Sequence, residues 1–114
     1  MQIQRHGSTR RYSDSVVHNG TVYLVEVPSN LDADITGQTE NLLASIERLL
    51  AQAGSDKSRL LMATIYLADM ADYSAMNAVW DAWLPEGSAP ARACVQARLA
   101  NPGFRVEIVL TAAS

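Results

Sequence analysis

The chain has 114 residues, 48% of them hydrophobic and 18% charged, with a formal net charge of −3. That balance excludes a disordered tail, which lacks the apolar surface to offset its ordering entropy, and the length predicts one domain over residues 1–114. Without a Lys/Arg cluster there is no footprint for a nucleic-acid backbone, and the apolar run Leu60–Ala68 is too short to cross a bilayer.

One cysteine excludes an internal disulfide and a CxxC zinc cluster. His6 and His18 have no ligand spacing to each other or to an acid, so no metal is expected. The opening residues carry no apolar signal core, and the expectation is a cytoplasmic protein.

In chain order, Val16–His18 and Val22–Val27 read as strands around Asn19-Gly20, a strong two-residue hairpin signal. After a loop over 28–34, Asp34 is an N-cap candidate. Ile35, Thr39, Leu42, Leu43, Ile46, Leu49, Leu50 and Ala53 then recur at helical spacing up to Gly54.

Leu60–Leu67 is apolar on both alternating faces, as a central strand would be, with Leu60, Met62, Thr64 and Tyr66 forming one set. A second helix is predicted over 71–84, with Tyr73, Met76, Val79, Trp80 and Trp83 on one stripe and Pro85 closing it. Arg92–Leu99 and Phe104–Thr111 read as the last two strands. The order β-β-α-β-α-β-β accounts for the strands and the two helices read from the sequence; the expected fold is α+β, one mixed sheet of about six strands with the two helices on one face.

The last two strands read as a hairpin, and an even-numbered loop over 100–103 keeps Arg105 and Glu107 out of the helix-covered core. That register predicts Arg92, Cys94, Gln96, Arg98, Arg105 and Glu107 together on the open face. Whichever apolar set of Leu60–Leu67 also faces that way needs cover, so the chain is expected to self-associate.

Arg92 leads the candidates for chemistry, because a planar guanidinium binds a carboxylate through two parallel hydrogen bonds. A structural salt bridge with Glu107 is the competing reading. Glu107 suits the orientation of a water or a proton transfer, or again a plain ion pair. Cys94 as a nucleophile would need an adjacent base and reads better as a strand residue.

These segments resemble the RidA/YjgF/RutC family of reactive-intermediate deaminases, once described as endoribonuclease-like translation inhibitors. The likeness is carried by Tyr12-Ser13-Asp14-Ser15-Val16-Val17, Asn41-Leu42-Leu43, Asp69-Met70-Ala71-Asp72-Tyr73 with Met76-Asn77, Pro90-Ala91-Arg92-Ala93-Cys94-Val95, and Val106-Glu107-Ile108. It runs from about Tyr12 to Ala112. Short YoaB-type members share Pro28-x-Asn30-Leu31-Asp32-Ala33-Asp34 and Trp80-Asp81-Ala82-Trp83.

The resemblance implies a chorismate-mutase-like fold and a homotrimer with ligand sites in inter-subunit clefts. It implies that Arg92 holds the carboxylate of a 2-imino or enamine acid and that Glu107 positions the attacking water. The backbone at Cys94 would help bind the ligand, with Tyr12 and Asn77 lining the cleft and no cofactor needed. The implied activity is cofactor-independent hydrolysis of small 2-imino acids, of the 2-aminoacrylate or 2-iminopropanoate type, to 2-keto acids and ammonia. A non-catalytic, carboxylate-sensing trimer is the alternative, and a nuclease fits poorly with the net charge.

One departure bears on substrate choice. Val25-Glu26-Val27-Pro28 stands, one residue shorter, where the resemblance implies Ser-Gly-Gln-hydrophobic-Pro, and Glu26 is read as replacing the glycine beside the cleft. Facing the site, Glu26 would repel an anionic substrate and favour an amine-bearing one.

Overall fold

The computed structural model describes residues 2–114. Six strands form one mixed sheet: β1 (Gln4–His6), β2 (Ser15–His18), β3 (Thr21–Glu26), β4 (Leu60–Leu67), β5 (Ala91–Gln96) and β6 (Val106–Ala113), in the spatial order β1-β2-β3-β6-β4-β5. Helices α1 (Ile35–Gln52) and α2 (Tyr73–Trp83) complete the fold, and a 3₁₀ turn over Met70–Asp72 leads into α2.

Local chemistry sets the elements. Asn19 and Gly20 both take positive φ, 52° and 80°, as the tight turn between β2 and β3 requires. The Asp34 carboxylate accepts the Gly37 N–H at 2.9 Å and caps α1. Gly54, at φ 79°, follows its last turn. Leu42, Leu43, Ile46 and Leu50 of α1 pack with Met76 and Trp80 of α2 over Val22, Leu24, Ile65, Ile108 and Leu110 of the sheet.

Three expectations need correction. The strand β1, which pairs antiparallel with β2, carried no sequence signal. A bulge between Leu60 and Met62 turns Leu60 into the core and leaves Leu61 exposed, so Leu60 leaves the alternating set of Met62, Thr64 and Tyr66. The third correction is topological, because β5 and β6 are not a hairpin. Helix α2 carries the chain back so that β5 runs parallel to β4 at the sheet edge, a βαβ crossover. Residues 97–105 then return the chain past β4, and β6 enters between β3 and β4.

The corrected order moves side chains between faces. Partners in register share a face; Arg92 is paired with Ala63 and Cys94 with Ile65, both on the helix side. Glu107, opposite Tyr66, stays on the open face. The six polar residues predicted on one open face are therefore divided. A register keeps charges off the helix side only where the helices cover all of that side. At the edge strand they do not, and Arg92 keeps access to solvent there.

In place of those polar groups, Ala93 and Val95 join the open face. Tyr23, Val25, Met62 and Val95 on that face are each 42–48% exposed, so the uncovered side is more apolar than the hairpin register implied.

Candidate functional site

Two groups of chemically capable side chains stand out, and they lie on different parts of the chain. The first surrounds Arg92. Tyr73, Asn77 and Trp80 fall at i, i+4 and i+7 on α2 and so share one helix face. Arg92 donates to the Asn77 Oδ1 at 2.8 Å and to the Tyr73 hydroxyl at 3.3 Å. Its guanidinium carbon stands 5.9 Å from the Tyr73 ring centre and 5.7 Å from that of Trp80, within cation–π range.

All these partners are neutral. Among the described residues the ion pairs are Lys57–Glu47 at 3.1 Å and Arg105–Asp72 at 3.4 Å, and neither involves Arg92. The guanidinium is thus fixed in direction while its charge stays uncompensated within the chain, and the expected alternative of an Arg92–Glu107 bridge in one chain does not occur. Cys94, two residues along the same face, has its thiol pushed up by burial, with Arg92 opposing the shift. A raised thiol is a poor nucleophile at neutral pH.

The second constellation is a pocket of about 490 Å³ whose lining includes Tyr12, Val25, Glu26, Phe104 and Glu107. It sits where β3 ends and β6 begins. Tyr12 is carried by a tight turn in which the Thr9 Oγ1 accepts the Arg11 and Tyr12 N–H groups, each at 3.2 Å. Glu26 is half-buried, and its Oε1 accepts the N–H of Val27 at 3.0 Å. Burial pushes the Glu26 carboxyl above its ordinary value; the Val27 bond opposes this, Asp14 adds to it, and Arg48 opposes it.

The lining of one pocket thus includes Tyr12, Glu26 and Glu107, but Glu26, opposite Ile108, has the helix-side parity and Glu107 the open-side one; Asn77, Arg92 and Cys94 form the separate group. Strand spacing and rise put the backbones of Arg92 and Glu107 on the order of 14 Å apart, with their side chains on opposite faces.

Sequence reasoning missed three contributors. Tyr73 and Trp80 were placed on the apolar stripe of α2, yet they also flank Arg92; their i, i+4, i+7 spacing with Asn77 was the available signal. Gln38 left none. It is fully buried, its Nε2 donates to the carbonyls of Gly103 (2.9 Å), Leu31 (3.2 Å) and Ala33 (3.4 Å), and its Oε1 accepts the Arg105 N–H at 2.8 Å. It pins the backbone on both sides of Phe104, a wall of the pocket.

One mixed sheet with two helices on a single face, with Glu107 on its open side and Arg92 on the helix side of its edge strand, defines a small α+β protein of the YjgF type. The family model described as "Endoribonuclease L-PSP" matches residues 2–114. The chain is 52% identical over 113 residues to the RutC family protein YoaB of Escherichia coli, covering 99% of each chain. It is 48% identical over 112 residues to a RutC family protein of Haemophilus ducreyi, covering 97% of this chain and 96% of that one. The structure of NMB1025, a YjgF family member from Neisseria meningitidis, superposes with a TM-score of 0.97 at 52% identity, over 100% of this chain and 96% of that one. The chain belongs to the YjgF/RutC/RidA family.

Proposed function

We propose that this protein hydrolyses small 2-imino acids, of the kind formed from 2-aminoacrylate, to 2-keto acids and ammonia, at sites completed between copies of the chain in a homotrimer. The observation that carries this reading is Arg92: a guanidinium held by neutral groups, with no carboxylate partner among the described residues, is poised for an external anion. The other support is the family, together with Glu107 in a pocket on the opposite face.

In this reading Arg92 binds the substrate carboxylate and leaves the imine carbon at the Glu107 side of a neighbouring copy. Glu107 orients a water, whose oxygen adds to C2 as the imine nitrogen takes a proton. The resulting carbinolamine expels ammonia, so that C=NH and water become C=O and NH₃. The imine carbon is already electrophilic, and no cofactor enters the scheme. The apolar open face, with Met62, Tyr23 and Val95, supplies the seam that brings two chains together.

A carboxylate sensor without turnover is the second reading. It is favoured by the thin set of titratable groups at Arg92, whose side-chain partners are Asn77 and Tyr73. Ammonia release from freshly generated 2-iminopropanoate separates the two. Wild-type protein should accelerate it, and Arg92→Ala should lose at least about a hundredfold in kcat/KM, about 2.7 kcal/mol. Tight keto-acid binding with no acceleration of any imine would establish the sensor instead.

A further inference from the structure

Two aromatic rings border the Arg92 guanidinium, and they differ in access. Trp80, 5.7 Å from the guanidinium carbon, is only 4% exposed. Tyr73, 5.9 Å from the same carbon, is 39% exposed. A ligand arriving from solvent therefore meets the guanidinium where Tyr73 borders it.

The Tyr73 hydroxyl has capacity to spare there. A guanidinium carries donors only, so the 3.3 Å bond between Arg92 Nη2 and Tyr73 is donated by Arg92 and received on a phenolic lone pair. The phenolic proton then points elsewhere, and no acceptor takes it among the described residues. On the other arm, Nη1 donates to the Asn77 Oδ1 at 2.8 Å. Each arm thus spends one N–H within the chain and keeps another for a ligand.

Arg92 Nη2 and the Tyr73 oxygen, 3.3 Å apart, make an edge of two donors, one N–H and one O–H. A carboxylate can span such an edge with one oxygen on each donor, as it spans the two arms of an arginine fork. Tyr73 in effect widens the fork, while its ring keeps cation–π contact with the same guanidinium.

We propose that the Tyr73 hydroxyl is a second anchor for the ligand, donating its proton to the carboxylate that Arg92 holds. The proposal rests on Arg92 as the carboxylate site of the reading above, and not on hydrolysis. The carboxylate keeps its charge while water adds at C2, so this anchor should act on affinity and leave the chemical step alone.

The test uses the intact wild-type protein and Tyr73→Phe, which keeps the ring and removes only the oxygen. The probe is 2-oxobutanoate, titrated by calorimetry; 2-iminobutanoate, generated in situ by an amino-acid oxidase, gives the kinetics. Tyr73→Phe should bind 2-oxobutanoate about tenfold more weakly, the scale of one charge-assisted hydrogen bond. KM should rise by a similar factor with kcat within about twofold, and the far-ultraviolet spectrum should not change. A residue that only steers Arg92 would misplace the substrate and lower kcat as well. A second readout uses the wild type with its four tyrosines carbon-13 labelled at Cζ. Saturating 2-oxobutanoate should move the resonance that Tyr73→Phe lacks.

Equal affinity in the two proteins, or a Tyr73 resonance unmoved at saturation, would overturn the anchor even if imines are hydrolysed. A loss confined to kcat would overturn it too and leave Tyr73 as a positioning residue for Arg92. A tenfold weaker Tyr73→Phe, beside a wild type that hydrolyses no imine, would instead sink the enzyme reading and leave the anchor standing. If 2-oxobutanoate does not bind the wild type at millimolar concentration, the anchor and the carboxylate site both fail.

Discussion

Arg92 and Glu107 stand on opposite faces of one sheet, Arg92 opposite Ala63 on the helix side and Glu107 opposite Tyr66 on the open side. No side-chain rotation brings them onto one small ligand within a single chain. A site that uses both therefore needs two chains, with Arg92 from one and Glu107 from the next.

That geometry predicts complementation. Arg92→Ala and Glu107→Ala variants should each be inactive. When the two variants are co-expressed or refolded together, random assortment leaves intact Arg92 and Glu107 across roughly a quarter of the interfaces. Ammonia release should return to about that fraction of wild type. Mixed oligomers with no recovered activity would show that the two residues do not serve one site.

The seam proposed on the open face can be tested by charge. Val95 is 43% exposed in the isolated chain, so Val95→Asp should cost the monomer fold less than about 1 kcal/mol. Buried in a seam, the same carboxylate is strongly unfavourable. Light scattering at micromolar concentration should give the mass of three chains for the wild type and a mass near 12.4 kDa for the variant. A wild type already at the single-chain mass would remove both the seam and the shared site.

Gln38 should matter beyond its size. Gln38→Met fills nearly the same volume but leaves the Arg105 N–H and the carbonyls of Gly103, Leu31 and Ala33 without this partner. Orphaned buried polar groups of this kind cost about 1–3 kcal/mol each, and partial relaxation brings the expected total to about 3 kcal/mol. Urea titration should show this as a lower midpoint at unchanged slope. A loss below about 1 kcal/mol would mean that the two loops hold their places without Gln38.

Glu26 gives a signed pH dependence of stability. Burial raises its carboxyl above the ordinary value of 4.5, with Asp14 adding to the shift and the Val27 N–H and Arg48 opposing it. The folded chain thus keeps a proton that the unfolded chain releases between 4.5 and the raised value. Stability falls as pH rises through that window, and the penalty is complete above it. Glu26→Gln, which cannot ionise, should be more stable than wild type at pH 7, and the two should converge as pH falls below 4.5. Thermal unfolding across that range checks it, and a variant less stable than wild type at pH 7 would refute it.

Much of this molecule follows from local rules. The Asn19-Gly20 turn, the Asp34 cap and the stripe from Ile35 to Leu50 are written in neighbouring residues, because turn dihedrals, capping bonds and a helical period act over a few positions. The alternation of Val106, Ile108 and Leu110 with Glu107 also fixed which residues of β6 enter the core. The motifs around Tyr12, Arg92 and Glu107 carried the family.

Tertiary structure alone decided how these pieces meet. Strand order is non-local, and periodicity treats a hairpin and a crossover alike; packing α2 against the sheet put β5 parallel to β4 and β6 between β3 and β4. That single choice moved Arg92 and Cys94 to the helix side and Val95 to the open face. A one-residue bulge at Leu61 then reassigned Leu60, since strand alternation reverses with each extra residue. Which side chains share a pocket depends on strand order and face, and both are set by contacts between residues far apart in the chain.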